Sequence, residues 1–225
     1  MRQIQPDLWE TQVETPLPGL TTHAYLLIRE HGNVLFYNSG LRDEIEKMAE
    51  LGGVGYHYLS HRDEIGETLN LVAQRYGSKL GAHVAERAEV ARIREPDILV
   101  DRRGRYPGDV EAIPTPGHSP GSTCFLVSSP HGKRYLFTGD TLYRAADGGW
   151  KPGFIPGFSR VDDISPLARS LELLRGLEPD VVIGSAFGGQ AGFEELSPED
   201  WPGRVDFALE ALSRLEVDQR SRSPG

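Results

Sequence analysis

The sequence predicts a mixed α/β fold, and three observations predict it. Short apolar or β-branched runs alternate with amphipathic stretches, glycine- and proline-rich turns punctuate them, and a strand-rich opening recurs near residue 110, as in a two-halved fold. In chain order, residues 8–14, 22–28 and 34–37 read as strands, with Pro16-Leu17-Pro18-Gly19 and residues 30–33 as the turns between them. Leu41, Ile45, Met48 and Ala49 recur at helical spacing and stop at Gly52-Gly53, so 42–51 reads as a helix and 56–60 as the strand after it. Residues 67–76 carry Leu69, Val72 and Ala73 on one helical face and end at Gly77; 79–83 is the next strand and 85–93 a short helix. A second meander follows at 110–114, 124–128 and 135–138. Beyond it, 166–177 and 205–215 read as helices around a buried-type strand at 181–184.

Composition narrows the function classes. A chain of 225 residues can bury roughly 70–75% of its unfolded surface, so one domain over 1–215 with a polar tail at 216–225 is expected, and a homodimer is compatible without being required. The single cysteine, Cys124, excludes a disulfide framework and a Cys-rich zinc module. A net charge of −9 with no basic stretch argues against nucleic acid or an anionic membrane as partner, which leaves small-molecule chemistry. No run of eighteen apolar residues exists and residues 1–10 are polar, so the expected location is cytoplasmic.

Four segments carry polar residues at the ends of predicted strands, where α/β folds mount their chemistry: Ser60-His61-Arg62-Asp63-Glu64, Pro116-Gly117-His118-Ser119-Pro120-Gly121, Thr138-Gly139-Asp140-Thr141 and Gly184-Ser185. Their order, spacing and wording resemble the metallo-β-lactamase fold superfamily. TPGHSPGS stands where that superfamily has T-P-G-H-T-x-G, and YLFTGDTLY where it has a strand ending in G-D. The resemblance spans about residues 22–185 and implies a four-layer αβ/βα sandwich, two mixed sheets face to face with helices outside, and a metal site at one edge.

The chain departs from the superfamily's H-x-H-x-D-H motif. His61 keeps the first position, but Asp63, Ile65 and Gly66 replace the next three ligands, and Ser185 stands where a strand ending in G-H supplies the last one. A second ion would keep only Asp140, too few donors for a transition metal, so at most one divalent ion is expected, zinc or iron, on His61, Asp63, His118 and Asp140. Asp63 precedes a helical stretch, so an N-cap fits it as well as a ligand; Asp140 after Gly139 also suits an Asx turn. Ser185 reads as a hydrogen-bonding or space-filling replacement, and Asn38 as a turn residue supporting the floor of the site.

Three functions follow from that degenerate site. One is a metal-dependent hydrolase of small esters, thioesters, amides or phosphoesters, with Asp63 or Asp140 orienting water. Another is a metal-free pseudoenzyme or binding protein on the same fold. The last is an Fe(II) persulfide-type oxygenase on His61, His118 and Asp140, a two-His-one-carboxylate set. Residues 144–160, broken by Gly148, Gly149, Gly153 and Gly157 yet rich in aromatics, read as a lid. Its Trp150, Phe154 and Phe158 are expected to wall a substrate cavity, with Tyr143, Arg144 or Lys151 as polar anchors.

Overall fold

The computed structural model describes residues 1–222, with side chains through Val217. Strand faces explain the layering. In Thr123–Ser128, Phe125 and Val127 point toward one apolar cluster while Cys124 and Leu126 point toward another; Leu136 and Val182 likewise face away from their neighbours Tyr135, Phe137, Val181 and Ile183. A strand apolar on both sides has no solvated face, so it must be covered twice.

Among the described residues a seven-stranded sheet runs Arg2–Gln5, Leu8–Glu10, Tyr25–Leu27, Val34–Phe36, Tyr56–Tyr58, Lys79–His83, Ile98–Val100, antiparallel in its first half and parallel in its second. A six-stranded sheet runs Gly104–Tyr106, Val110–Pro114, Thr123–Ser128, Arg134–Gly139, Val181–Gly184, Phe193–Glu195, with one parallel pair between Arg134–Gly139 and Val181–Gly184. Their inner faces form the central core, where Phe36 stacks on Phe137 with ring centroids 3.9 Å apart and Tyr58 and Phe125 pack beside them. Helices α1 (Arg42–Lys47), α2 (Thr68–Tyr76) and α3 (Arg87–Val90) follow strands of the first sheet, and α2 and α3 contribute Leu69 and Val90 to a cluster with Leu59 and Leu80. Helices α4 (Ile164–Arg175) and α5 (Trp201–Arg222) cover the second sheet through Leu167, Leu171, Trp201 and Val205. The fold is therefore the expected α/β sandwich.

Three local differences from the sequence reading have physical causes. The runs 8–14 and 22–28 each break, because the hairpin Glu14–Leu17 and Leu20–Thr22 leaves the first sheet for a third one, in the order Trp150–Pro152, Leu142–Arg144, Ala186–Phe187, Leu20–Thr22, Glu14–Leu17. The expected lid contains a strand, Trp150–Pro152, since it pairs with Leu142–Arg144 across the turn. Residues 216–222, expected in a polar tail, continue α5, whose buried Trp201, Val205, Ala208 and Leu212 already hold the helix to the sheet; the rest of that expected tail lies outside the described residues. No helix among the described residues is long and apolar enough to cross a membrane.

Tyr37 binds the two halves together, and His57 holds its backbone. Tyr37, in the left-handed region at φ 66°, follows the strand Val34–Phe36; its hydroxyl donates to the Ile183 carbonyl at 2.8 Å and accepts the Gly139 N–H at 2.9 Å. His57 Nε2–H in turn donates to the Tyr37 carbonyl at 2.7 Å. Burial, partly opposed by that bond, pushes His57 down to about 4 from an ordinary 6.5. As pH falls through this window the unfolded chain takes up the proton first, so native stability, complete above 6.5, declines by about 3 kcal/mol toward pH 4. His57→Gln, which keeps an N–H for Tyr37, is expected to flatten the fall of melting temperature between pH 6.5 and 4; curves parallel to wild type would contradict this.

Candidate metal centre

The polar side chains at the sandwich edge are carried by the ends of buried strands and the loops that join them. His61 follows Tyr56–Tyr58, Asp140 follows Arg134–Gly139 and Ser185 follows Val181–Gly184, while His118 sits in the loop between Val110–Pro114 and Thr123–Ser128. Gly139 makes the corner before Asp140 at φ 53°, and a Cβ there would run into Ser60, so the two sheets touch at this point.

The structure brings both imidazoles and both carboxylates to one centre. His61 Nε2 lies 3.4 Å from Asp140 Oδ2 and 3.9 Å from Asp63 Oδ2; His118 Nε2 lies 3.8 and 3.4 Å from the same two atoms. Donor atoms of His61, Asp63 and His118 all fall within 4.8 Å of one another. Two ligands on a tetrahedral ion at about 2.0–2.2 Å stand roughly 3.3–3.6 Å apart, so the two 3.4 Å spacings already match one ion and the wider ones would have to close on binding. Asp63 caps no helix: it lies in the single turn Arg62–Glu64, α2 starts only at Thr68, and its side chain is 65% exposed on the solvent side of the centre.

The rings are oriented from behind. His118 Nδ1–H donates to the Gly153 carbonyl at 2.9 Å, which turns the lone pair of Nε2 inward, and this buried Nε2 makes no hydrogen bond among the described residues. His61 Nδ1 faces Glu64 Oε1 at 3.1 Å and Ser60 Oγ at 2.9 Å, and Glu64 is fixed by the Ser60 N–H at 2.8 Å and the Ser60 hydroxyl. An imidazole backed by a carbonyl or carboxylate and offering its other nitrogen is the usual outer arrangement of metal-binding histidines. An orphaned, buried, inward-facing nitrogen beside a second imidazole and two carboxylates fits a divalent ion.

Electrostatics match that charge pattern. Burial pushes His61 down, but Asp140 and Glu64 outweigh it and raise it well above its ordinary value. For Asp140 burial acts upward and is outweighed by His61, His118 and the Ser185 hydroxyl, so its carboxyl stays well below the usual range. The His118 imidazole beside Asp63 holds that carboxyl down against burial. Ser185 Oγ–H and the Ala186 N–H donate to Asp140 Oδ1 at 2.6 and 3.1 Å. Ile65, Gly66 and Ser185 border the cleft, and Glu67 is exposed at its rim.

A cleft of about 1110 Å³ opens over the centre, bordered by Leu17, Leu20, Asn38, Ile155 and Phe158. Of the six residues expected to wall or anchor a substrate cavity, Phe158 alone borders it, 89% exposed. Trp150 and Phe154 are instead buried in the core under α4 and α5, where Trp150 Nε1–H donates to Glu194 at 2.7 Å, because apolar surface on a paired strand gains more beneath helices than at an open rim. Tyr143 pairs with Lys151 in the hairpin and stands away from the cleft; Arg144 and Lys151 bond Phe193 and Asp147. Asn38 supports the floor, accepting the Thr68 hydroxyl at 3.2 Å. Sequence reasoning missed Tyr37, Glu64 and Gly153. Glu64 stands three residues after His61 within one turn, a usable signal, whereas Gly153 acts through a backbone carbonyl and leaves none.

A family model described as the metallo-beta-lactamase superfamily matches residues 52–186, more than half of the chain. The chain belongs to this superfamily. Among solved structures, a HARLDQ-motif mutant of a metallo-beta-lactamase from Cronobacter sakazakii aligns with TM-score 0.69 at 16% identity, covering 95% of this chain and 100% of that one. A metallo-beta-lactamase family protein from Thermus thermophilus gives 0.67 at 19%, over 96% and 82% of the two chains. An archaeal superfamily protein from Sulfolobus tokodaii gives 0.63 at 19%, over 89% and 85%. At such identities the likeness shows the fold. No curated protein matches.

Gly153 offers a direct test of this geometry, since a Cβ there would overlap the Asp140 carbonyl and lie 3.2 Å from His118 Nδ1. Gly153→Ala is expected to cost about 1–3 kcal/mol in thermal or denaturant unfolding and to weaken metal binding in a titration. Wild-type stability and affinity together would show that the hairpin does not hold His118.

Proposed function

We propose that this superfamily member is a hydrolase of small molecules working with a single divalent ion, zinc in the first place, held by His61, His118 and Asp140, with Asp63 beside it on the solvent side and the fourth position open. The observation that carries this reading is the buried, unbonded Nε2 of His118 facing His61 and two carboxylates at the floor of an open cleft. When bound, such an ion polarises a carbonyl or phosphoryl oxygen and acidifies water. The chain's own residues do the rest. Gly153 and Glu64 keep the Nδ1 protons of His118 and His61, so both rings turn Nε2 to the centre. Asp140 contributes fixed negative charge from within the wall. Asp63, ionised and on the solvent side, takes a proton at its carboxylate from attacking water and returns it to the leaving group. The cleft mouth combines Leu17, Ile155 and Phe158 with open solvent, which suits a small substrate with an apolar portion.

Elemental analysis of protein purified without added metal tests the reading. About one equivalent per chain is expected, and no more than one, because Ile65, Gly66 and Ser185 provide no further strong donors. Chelation should lower the wild-type melting temperature, equivalent to about 3 kcal/mol at an ion concentration a hundredfold above Kd, and should leave His61→Ala unmoved. Near-zero metal with equal melting temperatures would overturn the hydrolase reading in favour of a metal-free binding protein. Stoichiometric iron with oxygen uptake on a persulfide would overturn it in favour of an oxygenase.

A further inference from the structure

The two oxygens of Asp140 have different neighbours. Oδ1 accepts the Ser185 hydroxyl at 2.6 Å and the Ala186 N–H at 3.1 Å, which uses both of its lone-pair directions. Oδ2 accepts neither and lies 3.4 and 3.8 Å from the inward nitrogens of His61 and His118. Ser185 is itself clamped: it is 5% exposed, its N–H donates to the Gly139 carbonyl at 3.2 Å, and its own carbonyl accepts the His23 N–H at 3.4 Å. Its hydroxyl therefore has a fixed origin and a single carboxylate to reach.

From this geometry we infer that Ser185 is a positioning residue that commits Asp140 to one ion, by holding Oδ1 and presenting Oδ2 alone to the histidine pair. The inference rests on the single-ion reading above and goes further: Ser185 acts on that ion's affinity and on how Asp140 binds it. A space-filling serine would do neither. With the hydroxyl removed, Oδ1 keeps only the Ala186 N–H, and the carboxylate gains freedom to rotate and to offer both oxygens.

Ser185→Ala, compared with wild type by zinc titration, is expected to bind about 10–100-fold more weakly, the usual cost of losing a partner behind a ligand, with stoichiometry still at one. In the cobalt(II)-loaded proteins the same substitution should move the visible d–d bands toward the weaker absorption of a higher coordination number. A zinc Kd within twofold of wild type together with an unchanged cobalt spectrum would overturn the inference while leaving the single-ion reading intact. Wild-type protein that binds no zinc would overturn both. Should the variant fail to fold, a zinc-loaded crystal structure of the wild type decides: Asp140 on the ion through Oδ2 with Oδ1 still on Ser185 supports the inference, and Asp140 bound through both oxygens, with Ser185 turned away, refutes it.

Discussion

The seam between the two large sheets is the contact on which the candidate site depends. Phe36 and Phe137 stack across it at 3.9 Å, with Tyr58 and Phe125 packed beside them. His61 and Asp63 leave the first sheet, whereas His118 and Asp140 leave the second. Neither sheet alone supplies both imidazoles of the site. Aromatic burial across the seam, worth roughly 2 kcal/mol or more for each fully buried ring, therefore sets the distance between half-sites that share no backbone. The Tyr37 hydroxyl refines that distance, since it ties a strand end of the first sheet to Gly139 and Ile183 of the second.

Around the centre, three groups that face inward have their other polar atom occupied from outside. His61 is backed by Glu64, His118 by the Gly153 carbonyl, and Asp140 by Ser185 and Ala186. Such an arrangement fixes rotamers before anything binds, so ligand-side entropy is lost during folding and not at the moment of binding. Asp63 is the exception, exposed and without a backing donor, and the proposed proton transfer is assigned to it for that reason.

Much of the fold was legible in the sequence because strands buried on both faces are written as unbroken apolar runs. Tyr135 to Phe137 and Val181 to Ile183 leave little choice of element. The candidate donors His61, His118 and Asp140 were legible for a different reason, the resemblance of their segments, TPGHSPGS and YLFTGDTLY among them, to a known superfamily, whereas the sequence left Asp63 open between ligand and N-cap. The errors lie where tertiary pairing decides. Trp150 and Phe154 sit among glycines and look like loop aromatics, yet a three-residue strand draws them beneath α4 and α5. Gly153, whose contribution is a carbonyl, and Tyr37, whose hydroxyl reaches across to residues 139 and 183, act at sequence distances that no local pattern encodes.

The hairpin that leads to Gly153 is anchored outside the cleft. Trp150, three residues earlier, is buried among α4 and α5 and bonded to Glu194, so the carbonyl that aims His118 inherits its position from the packing of the outer helical layer. A substitution beneath α5 that displaced Trp150 would thus act on the strand that carries the Gly153 carbonyl, and through it on the aim of His118, with every donor residue unchanged.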